Sequence, residues 1–304
     1  MTHAHRCGYV ALAGRPNVGK STLLNALVGT HLSIVTPKAQ TTRERVSGIL
    51  TADRYQILFI DGPGLIEPRQ ALQESMHRAA VAAIEEADVV TVVGDATRPD
   101  TVRSRELLTT VDRARAPLIV VVNKCDLVDA DTEHELLNGI RAVGHEVLAV
   151  SAVTGKGLDH FLERIVGLLP ESPPLFPADE TATQSVRFFA QELVRETCME
   201  VLREEVPYSV ACRVEEFREE SEPVYVRVTV YVERESQKGI VIGKAGSTIK
   251  QIGAAARQKI ERLIDQPVYL DLRVKVLAGW SRKPDFLRRL GYRVPPRSGG
   301  GQKD

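Results

Sequence analysis

The chain has 304 residues, 43% of them hydrophobic, and a formal net charge of zero. This is enough for a hydrophobic core and, by length, about two domains. No apolar run reaches the roughly 18 residues that a transmembrane helix needs, which excludes a membrane-spanning chain. No signal peptide precedes the first predicted strand, and the four cysteines lack metal-binding spacing, so we expect reduced thiols in a cytosolic protein.

The charge is distributed unevenly along the chain. Residues 1–170 carry 18 Lys and Arg against 20 Asp and Glu, a net charge of −2, and residues 171–235 carry 7 against 15, a net charge of −8. Residues 236–304 carry 15 against 5, a net charge of +10. A solvated charged face is the simplest explanation, but a basic region of this size around a glycine loop favours a polyanion as partner.

The N-terminal half alternates short buried strands with helices. Strands are predicted at Tyr9–Ala13, Val46–Leu50, Ile57–Ile60, Val89–Val93, Leu118–Val122 and Val147–Val150, and helices at Lys20–Val28, Gln70–Ala87, Arg103–Arg115 and Leu158–Leu169. This alternation predicts an α/β domain over residues 1–170, with a mostly parallel sheet and helices on both faces. Ligands of such sheets bind at the carboxyl ends of the strands.

A proline-rich stretch separates this pattern from a different one. Pro170–Pro177 contains four prolines in eight residues, which predicts an extended, semi-rigid linker at 171–184. The order α-β-β-α-α-β then predicts an α+β domain over residues 185–292, followed by a disordered tail at 293–304. The predicted elements of this domain are a helix at 186–205, strands at Ser209–Phe217, Val224–Glu233 and Val268–Leu277, and a helix that ends near Ile264.

The first glycine loop, G-R-P-N-V-G-K-S, follows a predicted strand and opens a helix. It fits the phosphate-loop pattern G-x-x-x-x-G-K-[ST], in which backbone N–H groups and a helix N-terminus converge on phosphates. Lys20 should reach the β- and γ-phosphates, and the Ser21 hydroxyl should bind Mg²⁺. The predicted phosphate-binding residues are Gly14, Asn17, Val18, Gly19, Lys20, Ser21, Thr22 and Gly64.

A second motif distinguishes GTP from ATP. N-K-C-D (Asn123–Asp126) follows a predicted strand, and Asp126 can accept hydrogen bonds from N1–H and the exocyclic amine of guanine, which adenine cannot match. Asn123 should hold the loop and contact the base, and a backbone N–H of Ser151–Ala152 can donate to guanine O6. The predicted guanine-binding residues are Asn123, Lys124, Asp126, Ser151 and Ala152.

Two further segments should respond to the γ-phosphate. In D-G-P-G, Asp61 can hold Mg²⁺ through water, and the Gly64 amide can lose its γ-phosphate bond on hydrolysis. In Q-T-T-R, Thr42 is the candidate for a Mg²⁺ ligand of the triphosphate state, with Thr41 as the alternative. The predicted Mg²⁺ ligands are Ser21, Thr42 and Asp61, and the predicted switch residues are Gln40, Thr41, Thr42, Asp61, Gly62, Pro63, Gly64 and Leu65.

Together these motifs resemble the Ras-like GTPase superfamily, with one departure. Members of the Ras type place a water-orienting glutamine where this chain has Leu65, and an alkyl side chain cannot orient water. The sequence therefore predicts slow intrinsic hydrolysis. Asn17 resembles an asparagine that helps bind potassium in similar bacterial GTPases, so K⁺ as an activating cation is a further hypothesis.

The second glycine loop lacks the features of a nucleotide site. G-K-A-G (Gly243–Gly246) lies between two helical segments in basic surroundings that include Lys238, Arg257 and Lys259. This is the pattern of a K-homology (KH) domain of type II, whose loop clamps the backbone of about four single-stranded nucleotides. The predicted RNA-binding residues are Ile242, Gly243, Lys244, Ala245, Gly246, Ser247 and Lys250.

The two loops, with K-A-Q-T-T-R, D-G-P-G-L, P-Y-S-V and L-R-V-K-V-L-A-G-W in this order, resemble the Era family of bacterial GTPases over about residues 8–292. The resemblance implies a monomeric GTPase that uses Mg²⁺, binds GTP or GDP, and acts in assembly of the small (30S) ribosomal subunit. It also implies that the KH domain binds near the 3′ end of 16S rRNA. Gly62 stands where members usually carry threonine, and we expect little effect from this difference.

Two alternatives are open from the residues alone. A signalling GTPase could use the basic C-terminal domain to bind a protein partner or an anionic membrane face. A weak association with the inner face of the cell membrane is compatible with a cytoplasmic protein. An ATP-dependent phosphate-loop enzyme is the other alternative, and Asp126 argues against it.

Overall fold

The structure is a computed structural model that describes residues 4–38, 40–102, 111, 116–142 and 144–294. Contacts divide the chain into two compact units, one comprising residues up to 67 with 76–183, and the other comprising residues from 184 onward with 68–75. Within the described ranges, no helix combines the length and the apolar character that crossing a membrane requires.

A six-stranded sheet forms the centre of the first unit, in the spatial order β2-β3-β1-β4-β5-β6. Strand β2 is antiparallel to β3, and the other neighbours are parallel, which confirms the predicted mostly parallel sheet. The strands are β1 (Arg6–Ala13), β2 (Val46–Ala52), β3 (Tyr55–Asp61), β4 (Val89–Asp95), β5 (Leu118–Asn123) and β6 (Val147–Ala149).

Helices α1 (Lys20–Val28), α2 (Ala71–Glu85), α3 (Ala130–Arg141) and α4 (Leu158–Leu168) accompany this sheet. Helix α3 was not predicted, because its sequence is mostly polar, yet its N-cap is readable: the Asp129 carboxylate accepts a hydrogen bond from the Thr132 amide at 2.8 Å. The predicted helix Arg103–Arg115 lies, apart from Val111, outside the described residues.

The second unit has the predicted order α-β-β-α-α-β. Its elements are α5 (Val186–Val201), β7 (Ala211–Arg218), β8 (Val224–Val232), α6 (Glu235–Ile242), α7 (Ser247–Ile264), β9 (Val268–Val276) and a short α8 (Pro284–Arg289) that was not predicted. Strand β8 is central, antiparallel to β7 and parallel to β9. Helix α5 ends at Val201, before the predicted Glu205, because the backbone is already extended at Leu202, with φ −78° and ψ 154°.

Alternation along β8 explains how the core of this unit forms. Val224, Val226, Val228, Val230 and Val232 are buried in one apolar cluster with residues of α5 and α7. Side chains on one face of a strand recur every second residue, so this valine row places a single face of the sheet against the helices. Helix α7 contributes Ile252, Ala256 and Ile260 to the same cluster, at helical spacing.

The segment 171–183, within the predicted linker, runs along the first unit. Isolated bridges join Glu171 to Arg6 and Ala182 to Gly48 of the edge strand β2. The fully buried side chain of Gln56 holds the middle of the segment: its Oε1 accepts the amides of Leu175 and Phe176 at 2.8 and 3.0 Å, and its Nε2 donates to the Phe176 carbonyl at 2.8 Å. One glutamine therefore satisfies three backbone groups of the segment.

We predict that Gln56→Leu releases this segment. The variant loses three hydrogen bonds from the side chain to backbone groups, each contributing about 1 kcal/mol. The free energy of unfolding measured in urea should therefore fall by about 3 kcal/mol. Cleavage by a glutamate-specific protease after Glu180 should become about tenfold faster as the segment opens locally. The exposed Gln258→Leu is the control, and unchanged cleavage in Gln56→Leu would show that the glutamine does not hold the segment.

Candidate functional site

Loops at the carboxyl edge of the six-stranded sheet surround a cavity of about 520 Å³. The loops after β1, β3, β4 and β5 all lie at this edge. A ligand was predicted here, because ligands of parallel sheets bind at the carboxyl ends of the strands. Its walls come from segments within 16–22, 34–37, 40–42 and 95–98, together with Gly64 and Lys124.

The phosphate loop requires glycine at Gly19. This residue has a positive φ of 93°, and a Cβ there would lie 2.3 Å from Nδ2 of Asn123. Lys20 follows at the start of α1 and is only 6% exposed. Its ammonium donates to the carbonyls of Gly14 and Arg15 at 3.4 and 3.3 Å, so the lysine side chain folds back onto the phosphate loop.

The three predicted Mg²⁺ ligands lie together. The Ser21 hydroxyl donates to Oδ2 of Asp61 at 2.6 Å, and the hydroxyl oxygens of Ser21 and Thr42 lie 3.0 Å apart. Oδ1 of Asp61 is buried without a hydrogen-bond partner in the described part of the chain. Thr41 instead donates to the Lys38 carbonyl at 2.7 Å, so the structure brings Thr42 and not Thr41 to the set. An all-oxygen set of this kind suits Mg²⁺.

Burial shifts both charged groups of this region toward neutrality. It raises the pKa of Asp61 and lowers the pKa of Lys20, while the charge of each group opposes the shift of the other. The Ser21 hydroxyl also favours the ionised form of Asp61. Bound phosphate and metal would supply the counter-charges that these buried groups lack.

The side chain of Asn123 connects three loops. Its Nδ2 donates to the carbonyls of Val18 and Gly19 at 3.1 and 3.4 Å, and its Oδ1 accepts the Ala152 amide at 3.0 Å. The predicted loop-holding role is thus visible in its contacts. The Ser151 amide donates to the Lys156 carbonyl, so both amides assigned to guanine O6 already have acceptors. A base would have to share the Ala152 amide with Asn123.

The other predicted residues are arranged around this connection. Asp126 is exposed, as a carboxylate that receives a base must be. Leu65 is buried in the core, so its side chain is removed from any role in orienting water. A Cβ on Gly64 would lie 2.5 Å from the Pro16 nitrogen, whereas a Cβ on Gly62 meets nothing nearer than 3.6 Å. Of these two positions, Gly64 requires glycine because of its backbone neighbour, and Gly62 does not.

Asn17 contacts the segment just before the predicted switch residue Gln40. Its Nδ2 donates to the Pro37 carbonyl at 3.3 Å. Gln40, like Asn17, has a positive φ, and both line the cavity beside the phosphate loop. The amide of Asn17 and the Pro37 carbonyl therefore converge at one edge of the cavity.

Asp95, Thr97 and Arg98 are among the cavity residues that were not predicted from the sequence. Asp95 is the last residue of β4 and the other two follow it, whereas the predicted strand ended at Val93, two residues earlier. A carboxylate after a buried strand was the signal that could have revealed Asp95, since the same reasoning identified Asp61 at the end of β3.

The second glycine loop has a different environment. Gly243 ends α6 with φ 75° and ψ 172°, a conformation open essentially to glycine alone, and the turn Lys244–Gly246 leads into α7. Lys244, Ser247 and Lys250 are exposed, and Ile242 is half-buried. Within the described residues, neither Lys244 nor Lys250 has an ion-pair partner, so both ammonium groups are available to a polyanion.

Three other basic residues of the predicted surroundings are engaged elsewhere. Lys259 pairs with Glu196 and Glu200 at 2.8 and 2.7 Å, which ties α7 to α5. Lys238 lies 3.8 Å from Glu235, and Arg257 lies 3.9 Å from Glu261. Glu196 and Glu200 belong to α5, and charge counting along the sequence could not show that this helix supplies acidic partners to Lys259.

The arrangement defines a phosphate-loop GTPase domain followed by a type II KH domain. Comparisons with known proteins agree. Residues 9–124 match the family model described as a 50S ribosome-binding GTPase, and residues 205–281 match the KH domain.

Curated relatives match nearly the whole chain. The chain is 43% identical to GTPase Era of Carboxydothermus hydrogenoformans over 293 residues, which cover 95% of this chain and 98% of that protein. It is also 43% identical to GTPase Era of Nitratidesulfovibrio vulgaris over 299 residues, covering 94% of this chain and 97% of that protein.

Solved structures agree with these relatives. A variant of Aquifex aeolicus Era bound to GDP and AlF4⁻ superposes with a TM-score of 0.90 at 40% identity, covering 95% of this chain and 100% of that one. Era in complex with MgGDPNP and nucleotides 1506–1542 of 16S ribosomal RNA superposes with a TM-score of 0.91 at 40% identity and the same coverage. The chain belongs to the Era family of GTPases.

We predict that Gly243→Ala destabilises the second unit. A Cβ at this position would lie 2.3 Å from Oγ1 of Thr248, and the strained backbone should cost about 1–3 kcal/mol. The single tryptophan, Trp280, is fully buried in this unit, so its fluorescence reports urea unfolding there.

Gly239→Ala is the matched control within α6. A Cβ there meets nothing within 4 Å, and alanine in a helix interior should stabilise the unit by about 0.5–1 kcal/mol. Equal urea midpoints for the two variants would show that the conformation of Gly243 is not needed.

Proposed function

We propose that the protein is a GTP-hydrolysing switch that binds single-stranded RNA near the 3′ end of 16S rRNA and acts in assembly of the 30S ribosomal subunit. The main support is the presence, in one chain, of a candidate guanine-nucleotide site and a KH loop whose Lys244 and Lys250 have no ion-pair partner among the described residues. The Era relative bound to MgGDPNP and 16S rRNA nucleotides has both domains at 40% identity.

In this proposal the nucleotide phosphates occupy the cavity beside the phosphate loop. Lys20 and the loop amides, from Gly14 to Thr22, bind the phosphates, and Gly64 donates its amide to the γ-phosphate. Ser21, Thr42 and Asp61 hold Mg²⁺, which supplies positive charge to the β- and γ-phosphate oxygens when bound. The unpartnered Oδ1 of Asp61 and the neighbouring hydroxyls support this assignment.

Guanine lies against the loops after β5 and β6. Asp126 accepts the two guanine N–H groups, Asn123 and Lys124 fix the loop, and Ser151 and Ala152 close the base pocket. The exposure of Asp126 beside the buried Asn123 supports this division of roles.

Hydrolysis transfers the γ-phosphoryl group of GTP to water and releases GDP and phosphate. With Leu65 buried, no side chain at that position orients the water, so the intrinsic rate should be slow. Asn17 Nδ2 donates to the Pro37 carbonyl at 3.3 Å, so a K⁺ ion here would be ligated by the Oδ1 of Asn17, because a cation binds to oxygen lone pairs and not to an N–H donor. Equal turnover in sodium and potassium would remove this role of Asn17.

RNA binds at the second glycine loop. The backbone of Gly243–Gly246 approaches an RNA backbone closely, Lys244 and Lys250 neutralise phosphates, and Ile242 and Ser247 lie beside the bases. The exposed Ile240 extends the apolar surface next to the loop. We place the protein in the cytoplasm as a monomer, with a weak association with the inner membrane face as the minor alternative use of the same charge.

We predict that Asp126→Asn exchanges base preference. An amide cannot accept both guanine N–H groups but can pair with xanthine, so GTP affinity should fall about 100-fold and xanthosine triphosphate should bind in its place. Equilibrium titration with both nucleotides measures the change. The exposed Asp131→Asn is the control, and retained preference for GTP in Asp126→Asn would contradict the assignment.

We predict selective RNA binding that depends on the nucleotide. An oligonucleotide copying the 3′ end of 16S rRNA should bind more tightly with a GTP analogue than with GDP, and scrambled RNA should bind weakly at either of two salt concentrations. Lys244→Asp should reduce RNA affinity at least about tenfold by loss of phosphate neutralisation.

Arg262→Asp makes the same change of charge at the opposite end of α7 and should bind RNA like the wild type. Binding that ignores RNA sequence and nucleotide and disappears with salt would contradict the assembly role. A partner at a membrane or protein surface would then be the better explanation.

A further inference from the structure

Asp95 lies between the two halves of the nucleotide site. It is the last residue of β4, and β4 is hydrogen-bonded to β1 on one side and to β5 on the other. The phosphate loop follows β1 and the base loop follows β5. Asp95 is paired in register with Asn123, so its carboxylate emerges at the point where the two loops face each other.

The carboxylate of Asp95 is fixed by its hydrogen bonds. Its Oδ1 accepts the amide and the hydroxyl of Thr97 at 3.0 and 2.6 Å. Its Oδ2 accepts the Lys124 ammonium at 2.6 Å and the Arg98 guanidinium at 3.2 Å. The side chain is 1% exposed, so these partners replace water completely. Burial raises the pKa of Asp95, but the Lys124 and Thr97 hydrogen bonds outweigh it and lower that pKa, which keeps the carboxylate ionised.

Lys124 extends this contact across the cavity. Its ammonium also donates to the Asn17 carbonyl at 2.8 Å, which creates a continuous path from Asp95 through Lys124 to the phosphate loop. Asn17 and Lys124 both adopt a φ of 65°, which is uncommon for residues other than glycine. Such conformations persist where the surroundings hold them, and here each residue lies at one end of the same hydrogen bond.

We propose that Asp95 is a positioning residue for guanine-nucleotide binding, because its carboxylate aims the Lys124 ammonium at the Asn17 carbonyl and so fixes the base loop and the phosphate loop at one spacing. The inference rests on the proposed guanine-nucleotide site. Asp95 itself lies behind Lys124 and acts through it. Without this counter-charge, the Lys124 ammonium no longer stays against the Asn17 carbonyl. A bound nucleotide must then order the base loop and the phosphate loop itself, which weakens nucleotide binding.

Arg98 has a secondary part in this arrangement. Its guanidinium is about half exposed and reaches Asp95 and the Asn17 carbonyl, the latter at 3.4 Å. These contacts are longer than those of Lys124, so the lysine carries most of the tethering. The role of Asp95 should therefore depend on Lys124 being present.

The test is the dissociation rate of fluorescent N-methylanthraniloyl-GDP from the full chain, measured by stopped flow. Asp95→Asn and Lys124→Met should each release the nucleotide about 10–100-fold faster than the wild type. In the double variant the two effects should not multiply, and the rate should stay within about threefold of the faster single variant, because both changes remove one interaction. Single-turnover hydrolysis of bound GTP should change less than threefold in Asp95→Asn, while KM rises.

Asp100→Asn is the matched control, since this exposed carboxylate lies in the same loop and pairs with Arg15 instead. Thr97→Val removes one hydroxyl from the Asp95 carboxylate and should speed release a few-fold, which provides a milder test if Asp95→Asn does not fold. An unchanged rate in Asp95→Asn, or effects that multiply in the double variant, would overturn the proposal. Failure of the wild type to bind the GDP probe would instead overturn the proposed function.

Discussion

The nucleotide site depends on one buried carboxamide, that of Asn123. Its hydrogen bonds join the phosphate loop, the base loop and the loop after β6. The first and the last of these loops are more than a hundred residues apart in the sequence. Each polar atom of the side chain is used, and a Cβ on Gly19 would collide with it. Because a buried amide left without partners is costly, these loops gain a fixed spacing before any ligand binds.

The two glycine-lysine loops show how burial decides what the same residue types can do. Lys20 is enclosed by its own loop at the end of a six-stranded sheet, where it can reach only a ligand that enters the cavity. Lys244 stands exposed between two helices, where it can meet a long polyanion from outside. In the proposed function the first loop binds the guanine nucleotide and the second binds RNA. If the nucleotide changes the affinity for RNA, RNA must change the affinity for the nucleotide by the same factor.

The sequence predicted what depends on local pattern: the sheet type, the two glycine loops, and the acidic or amide residues at strand ends. It could not reveal interactions that depend on the packing of distant residues. The pairing of Lys259 with Glu196 of α5 and the anchoring of the linker by Gln56 both join residues that are far apart in sequence, so local patterns do not show them. The contact of Thr42, rather than Thr41, with Ser21 depends on the fold, and so does the position of Asp95 between two loops, although its place after a buried strand could be read from the sequence.

The most direct test of the central role of Asn123 is amide hydrogen exchange in Asn123→Ala without nucleotide. The account predicts faster exchange, by about tenfold or more, at the Ala152 amide and also at the Leu23 amide, whose acceptor is the Gly19 carbonyl that Asn123 holds. The Ile49 amide, paired with Thr181 at the far edge of the sheet, should not change. Faster exchange at Ala152 alone would contradict the claim that this side chain joins the base loop to the phosphate loop.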